Sequence, residues 1–184
     1  MRAEVWQAYL DAPAHCVAEI LGGELHVMPR PRPRHASVAG RMRSRLRAFD
    51  DPEDGEPGGW IILIEPELHL GPVDRPVVPD LAGWRREHVP EDFFEAAAVS
   101  LAPDWVCEVL SNRTRAIDRV KKQRIYHRAS VAYVWHLDPE AETLEVFRRE
   151  TTTWTLLHEA EGDERVRAAP FEAIELDLAR LWAR

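Results

Sequence analysis

The sequence predicts an α/β (α+β) fold, a mixed sheet with helices packed against it, and three observations carry that prediction. Helical and strand-like apolar spacings alternate along the chain. Two short apolar runs, Trp105–Leu110 and Val131–Leu137, read as strands buried on both faces. Two alternating segments, Thr143–Arg148 and Thr152–Glu159, then read as a meander beside the second run. At 184 residues, 45% of them apolar and 30% charged, the chain suits one domain over residues 1–184, with enough length for a full core.

The elements follow in order. Met1–Leu21 has helical spacing, with Val5, Tyr9 and Leu10 before a break at Asp11–Pro13 and Val17, Ile20 and Leu21 after it. Gly22-Gly23 is a turn, and Glu24–Met28 alternates as a strand. The PRPRPR tract at Pro29–Arg34 favours an extended connector, because alternating prolines remove amide donors and restrict their neighbours. His35–Phe49 resumes helical spacing through Val38, Met42, Leu46 and Phe49. Asp51–Gly59 is an acidic loop rich in Pro and Gly. In Trp60–Leu70, the residues Ile62, Ile64, Leu68 and Leu70 are expected inward, with Pro66 marking a bulge. Val77–Trp84 is a strand that carries one acid, Asp80, and is made irregular by Pro79. Glu91–Val99 fits a short helix, Thr114–Arg128 a longer one, and Glu175–Ala183 an amphipathic C-terminal one.

Charge and cysteine usage bound the function. A net charge of −8 argues against broad charge-driven binding of nucleic acid. Yet Leu25–Phe49 holds seven arginines and no acid, and Arg113–Arg128 holds seven basic residues against Asp118 alone. Such segments suit a localised anionic partner, or simply two solvated helix faces. No apolar run is long enough to span a bilayer, and Met1–Cys16 lacks the apolar core of a secretory signal. Cys16 and Cys107 match no metal spacing and are expected reduced and buried, consistent with a cytoplasmic protein. The eight histidines show no zinc-binding spacing, and no nucleophile elbow or phosphate-binding glycine loop is present.

The chemistry concentrates in Pro103–Tyr126. Glu108 is a lone carboxylate inside a buried strand, which is costly without a partner for its charge. On the following helix Asp118, Lys122 and Tyr126 stand at i, i+4 and i+8 and so share one face. Asp80 lies on the preceding strand. Two carboxylates on neighbouring strands repel unless a cation separates them, and Mg²⁺ suits one or two carboxylates completed by waters or a carbonyl such as that of Val109. Lys122 beside such a cation would complete a phosphodiester-hydrolysing site. Spacing alone leaves a second reading open, in which Asp80 caps a turn and Glu108 and Lys122 form a structural ion pair.

Four stretches in combination, VVPDLAGW, APDWVCEVLS, Asp118-x3-Lys122-x3-Tyr126 and VAYVWHLDP, resemble the Uma2 (DUF820) family of endonucleases in the PD-(D/E)XK superfamily. AEILGGELHVMP near the start and IELDLARLW near the end extend the resemblance over nearly the whole chain, although Gly22 replaces the usual Asp of the opening motif. The resemblance implies a restriction-endonuclease-like mixed β-sheet flanked by helices. It implies a Mg²⁺- or Mn²⁺-dependent endonuclease acting on DNA, with Asp80 and Glu108 as metal ligands and Lys122 as the catalytic lysine. The superfamily lysine usually lies two residues beyond the second acid, where this chain has Leu110; the family takes it from the next helix instead. Glu19 resembles the first-helix acid, at the edge of the site with Asp118 and Tyr126. Arg34, His35 and Arg115 are the candidate DNA contacts, His35 having an ordinary helix-capping role as its alternative. Trp84 is the tryptophan considered for base stacking, the others being expected in the core. A homodimer is expected through the meander and the proline-rich arm, as in nucleases that pair their sites by two-fold symmetry. A protein that keeps the fold and binds nucleic acid without turnover is the competing class.

Overall fold

A computed structural model of the chain describes residues 2–96 and 98–183. It begins with α1 (Ala3–Leu10), then an antiparallel hairpin of β1 (Cys16–Leu21) and β2 (Glu24–Pro29). Gly22 and Gly23 make the turn at φ 64° and 80°, which favours glycine. The chain continues through α2 (Pro33–Arg45), α3 (Arg47–Asp50), β3 (Trp60–Ile64), β4 (Leu81–Arg85) and β5 (Trp105–Val109). A π-helical turn, Ile117–Lys122, runs into α4 (Gln123–Arg128). Then come β6 (Tyr133–Asp138), β7 (Thr143–Arg149), β8 (Trp154–Glu161), β9 (Arg165–Val166), β10 (Leu176–Asp177) and α5 (Ala179–Trp182).

The main sheet has six strands in the order β3-β4-β5-β6-β7-β8. Only β5 and β6 are parallel, and the π-turn with α4 is their crossover, since parallel neighbours need a long connection. This is the mixed sheet flanked by helices that the sequence predicts. One sheet face presents Trp105, Cys107 and Val109 to Val38 and Met42 of α2 and to Phe171. The other presents Val106 and Val134 to Ile125 and Tyr126 of α4 and to Leu21 of β1. Trp105, Trp135 and Phe171 meet edge to face with centroids 5.0–5.6 Å apart. Burying each ring removes about 150–250 Å² from water, on the order of 4–6 kcal/mol at about 25 cal/mol per Å². Gly83 of β4 makes this packing possible, because a Cβ there would stand 3.0 Å from the Trp105 ring.

Several expectations change. Val17, Ile20 and Leu21 form a strand, not a helix, because their backbone pairs with β2 across the Gly-Gly turn; Met1 lies outside the described residues. Glu175–Ala183 divides into β10 and a single helical turn, since Leu176 pairs with Val166. Glu91–Val99 forms only one 3₁₀ turn, Phe93–Glu95, and Ala97 lies outside the described residues. Ile64 points outward, 57% exposed, next to the positive φ of Glu65 that breaks the strand. Cys16 is half-buried, while Cys107 is buried. Trp84 is fully buried against Phe93, with its indole N–H donated to the Leu101 carbonyl, so it presents no face to a base.

Candidate active site

The alternation of β5 dictates the starting geometry. Trp105, Cys107 and Val109 face α2, so Glu108 must face the π-turn and α4. The register Leu81↔Cys107, continued by one residue, places Asp80 opposite Glu108 just before β4 begins. Asp80 Oδ2 accepts the Val109 N–H at 2.6 Å and lies 3.3 Å from His35 Nε2. The two acids therefore flank one peptide unit at the end of β5.

Glu108 is 2% exposed. Its Oε1 accepts the Tyr126 hydroxyl at 2.5 Å and lies 3.2 Å from Lys122 Nζ, and its Oε2 accepts from Lys122 at 3.3 Å. Lys122, 3% exposed, also donates to the Val78 carbonyl at 2.8 Å and meets Glu19 Oε1 at 3.0 Å. Asp118 Oδ1 stands 3.8 Å from the same ammonium. Glu19 enters from β1, accepting the Val78 N–H at 2.7 Å; its Oε2 is buried without a hydrogen-bond partner. Three carboxylates, Glu19, Glu108 and Asp118, thus stand within 3.8 Å of one buried ammonium, and Asp80 lies beyond ion-pair distance of it.

Burial pushes the Glu108 carboxyl well up; Lys122 opposes the shift, while Asp118, Asp80 and Glu19 reinforce it. Asp118 is raised by burial against the pull of Lys122. For Lys122 burial would favour the neutral amine, but Glu108, Glu19, Asp118 and Asp80 outweigh it and raise its pKa. Burial also pushes the Tyr126 phenol up, with Glu108 adding to the shift, so Tyr126 remains a hydrogen-bond donor. His35 is raised because Asp80 overcomes its burial.

These residues line a cavity of about 610 Å³. Glu19, Asp80, Glu108, Asp118 and Lys122 form its charged side, and Val17, Met28, Pro29, Pro31 and Val78 an apolar one. His35 also reaches it, as do Arg30, Arg32 and Arg113 from the two basic segments. Arg34 and Arg115 do not line it: Arg34 lies 3.6 Å from Glu142, and Arg115 lies 2.6 Å from Asp138. Lys122 turns toward Glu19, Glu108 and Asp118, which lie 3.0–3.8 Å from its ammonium, and not toward Asp80.

The donor set suits a hard cation. Among the described residues no group of three or more His, Cys, Asp or Glu side chains is arranged to hold a metal. A cation here would rest on two carboxylates, Asp80 and Glu108, with carbonyl and water oxygens completing its shell, as Mg²⁺ commonly does. The excess of carboxylates over ammonium at this end of β5 is the feature such a cation would offset.

Sequence spacing missed that Glu19 arrives on a strand, and it missed Val78 as an acceptor for Lys122. The signal for the strand was present: CVAEIL and ELHVMP are matched apolar runs on either side of Gly22-Gly23. Nothing in the sequence marks the Val78 carbonyl.

The Uma2 family model, described as "Putative restriction endonuclease", matches residues 6–179. Among solved structures the chain resembles the crystal structure of a "putative nuclease belonging to DUF820" from Anabaena variabilis ATCC 29413, at 1.96 Å resolution. The TM-score is 0.76 at 20% identity, with 97% of each chain covered, and at that identity the likeness speaks for the fold. No curated protein matches the chain. With the family model matched over nearly its full length, the chain belongs to the Uma2 family.

Proposed function

We propose that the chain is a single-domain, metal-dependent endodeoxyribonuclease that hydrolyses DNA phosphodiester bonds in the cytoplasm as a homodimer. The observation that carries this reading is the buried Lys122 ammonium, 3.2 Å from Glu108, beside the Asp80 that clamps the next peptide. A phosphodiester is a poor electrophile because its charge repels a nucleophile, so positioned positive charge and a positioned water are what a catalyst must provide. Asp80 and Glu108 would hold Mg²⁺ or Mn²⁺, whose chemistry is charge neutralisation and activation of water. Tyr126 orients Glu108 through its hydroxyl. Glu108, Glu19 and Asp118 keep Lys122 protonated, and Lys122 would stabilise charge that develops on the phosphoryl oxygens.

The test is nicking of plasmid DNA with Mg²⁺ or Mn²⁺ against EDTA, beside Lys122→Ala. We expect metal-dependent cleavage that falls by about 10²–10³ in the variant, the usual cost of one charge-stabilising donor. Cleavage undiminished in Lys122→Ala would overturn the mechanism. A second reading, binding without turnover, is favoured by one observation: both Glu108 oxygens already accept hydrogen bonds within the protein. Under that reading DNA binds and no divalent cation produces a cut.

A further inference from the structure

Ion pairing reduces the two basic segments to a much smaller positive footprint than their composition suggests. In the first, Arg34 lies against Glu142, Arg43 against Asp50 and Arg47 against Glu56, while Arg41 donates to the Leu181 and Ala183 carbonyls. In the second, Arg115 lies against Asp138, Arg119 against Glu145, Lys121 against Glu24 and Arg128 against Asp74, and Lys122 is buried among acids. Within these two segments, and among the described residues, Arg32, Arg45, Arg113 and Arg124 have neither an acidic partner within ion-pair distance nor a carbonyl acceptor. Only Arg32 and Arg113 of these line the cavity; Arg30, 3.4 Å from Glu65, joins them with its charge shared, and Glu140 is a further acid there. A duplex held along its backbone needs many phosphate contacts, and a chain of net charge −8 adds general repulsion to their absence.

The cavity also has a wall that a duplex backbone would not use. Val17, Met28, Pro29, Pro31 and Val78 are apolar, whereas the outside of a duplex presents phosphate and sugar. Its volume of about 610 Å³ falls in the roughly 300–1,000 Å³ range of pockets that enclose small ligands. An unpaired nucleotide has an exposed base to lay against that wall and a flexible backbone that can bring a phosphate to the carboxylates.

Resting on the nuclease reading above, we propose that the substrate is an unpaired stretch of DNA, gripped at two or three phosphates by Arg32, Arg113 and Arg30, with one base against the Met28–Pro31 wall. Each phosphate neutralised on a single strand contributes about −0.7 to the slope of log K against log salt, so the slope is about −2 for this footprint. A duplex held at six or more phosphates gives about −5 or steeper.

The test is fluorescence anisotropy of a labelled single-stranded oligonucleotide and of the duplex of the same sequence, over a salt series. Ca²⁺ is present as a hard oxygen-binding cation, and strand length is checked by gel. The expected result is a single strand bound at least about tenfold tighter than duplex, with a slope near −2. Arg32→Ala and Arg113→Ala each weaken binding and flatten the slope by about 0.7, whereas Arg45→Ala and Arg124→Ala, unpaired but outside the cavity, change neither. Equal or tighter duplex binding, a slope near −5, or no binding of either form overturns the proposal. The same oligonucleotides incubated with Mg²⁺ separate the two readings. Tight single-strand binding without cutting would leave the binding inference standing and remove the nuclease reading. Preferential binding and cutting of duplex would do the reverse.

Discussion

An ammonium that is 3% exposed has lost most of its hydration, and Lys122 keeps its proton because Glu108, Glu19 and Asp118 lie within 3.8 Å. The same packing makes those acids depend on Lys122. Replacing it with methionine preserves bulk but leaves buried carboxylates uncompensated, so Lys122→Met should lower stability by about 3–5 kcal/mol, the usual cost of breaking a buried ion pair. Adding Glu108→Gln removes one of the stranded charges and should recover part of that loss. Urea unfolding of wild type, single and double variants measures both effects, and a double variant no more stable than Lys122→Met would show that Glu108 is not the acid Lys122 compensates. At this scale much of the site was legible. A carboxylate in an apolar strand needs a partner, and the i, i+4, i+8 spacing supplied Lys122 and Tyr126. What sequence could not tell was which acid Lys122 would choose, because Glu19 and Val78 come from segments distant in the chain.

At the scale of elements, the π-turn at Ile117–Lys122 sets the site. In it Asp118 and Lys122 stand at i, i+4 and both are buried, as they would be on one face of an α-helix, and such turns are frequent at functional sites. Deleting Val120, which is 47% exposed, should convert the turn to an α-helix and shorten the Asp118–Lys122 spacing from i, i+4 to i, i+3, shifting both side chains relative to Glu108 and Glu19. We expect far-ultraviolet circular dichroism close to wild type with nicking activity lost; retained activity would show that the turn is dispensable. The turn is also fastened to the sheet by Arg119, bonded through both terminal nitrogens to Glu145 on β7. His136, whose Nδ1 is 3.8 Å from Glu145 Oε2, and then Arg119 hold this carboxyl at about 2 against an ordinary 4.5; at that distance Arg119 makes the firmer contact. Because the folded value is depressed, the stabilisation is present above about pH 4.5 and is lost as pH falls from there toward 2. Partial solvent contact reduces it to about 1–2 kcal/mol, so Glu145→Gln should cost that much at neutral pH and flatten the stability curve between those limits. A variant curve parallel to wild type through that window would exclude the pair as its cause. The central strands and the meander were readable here, because buried runs and period-two alternation are local signals. β1 and β10 were not, since Val17, Ile20 and Leu21, like Leu176, Leu178 and Leu181, also fit a helical stripe, and only pairing with a distant partner decides.

At the scale of the whole molecule, the six-stranded sheet ends on an open edge. β8 pairs with β7 on one side, and no strand among the described residues pairs with the other. Soluble proteins usually guard such edges with charges, prolines or very short strands, because free backbone donors and acceptors invite another strand. Here the edge is eight residues long and exposes Leu156 at 46% and Leu157 at 38% around a break in register. Antiparallel pairing of two β8 strands about a two-fold axis would satisfy the edge and cover those leucines, which is the contact expected of the homodimer. No helix among the described residues is long and apolar enough to cross a membrane. Electrostatics adds a sign. Each copy carries −8, so association is opposed by like charge at low ionic strength and should strengthen as salt shortens the screening length. Light scattering at micromolar protein should therefore give a dimeric mass whose proportion rises with salt. Leu156→Lys with Leu157→Lys should give a monomer of unchanged circular dichroism. A monomeric wild type at every salt concentration would refute the dimer, and a dimer untouched by the double substitution would place its contact elsewhere on the surface.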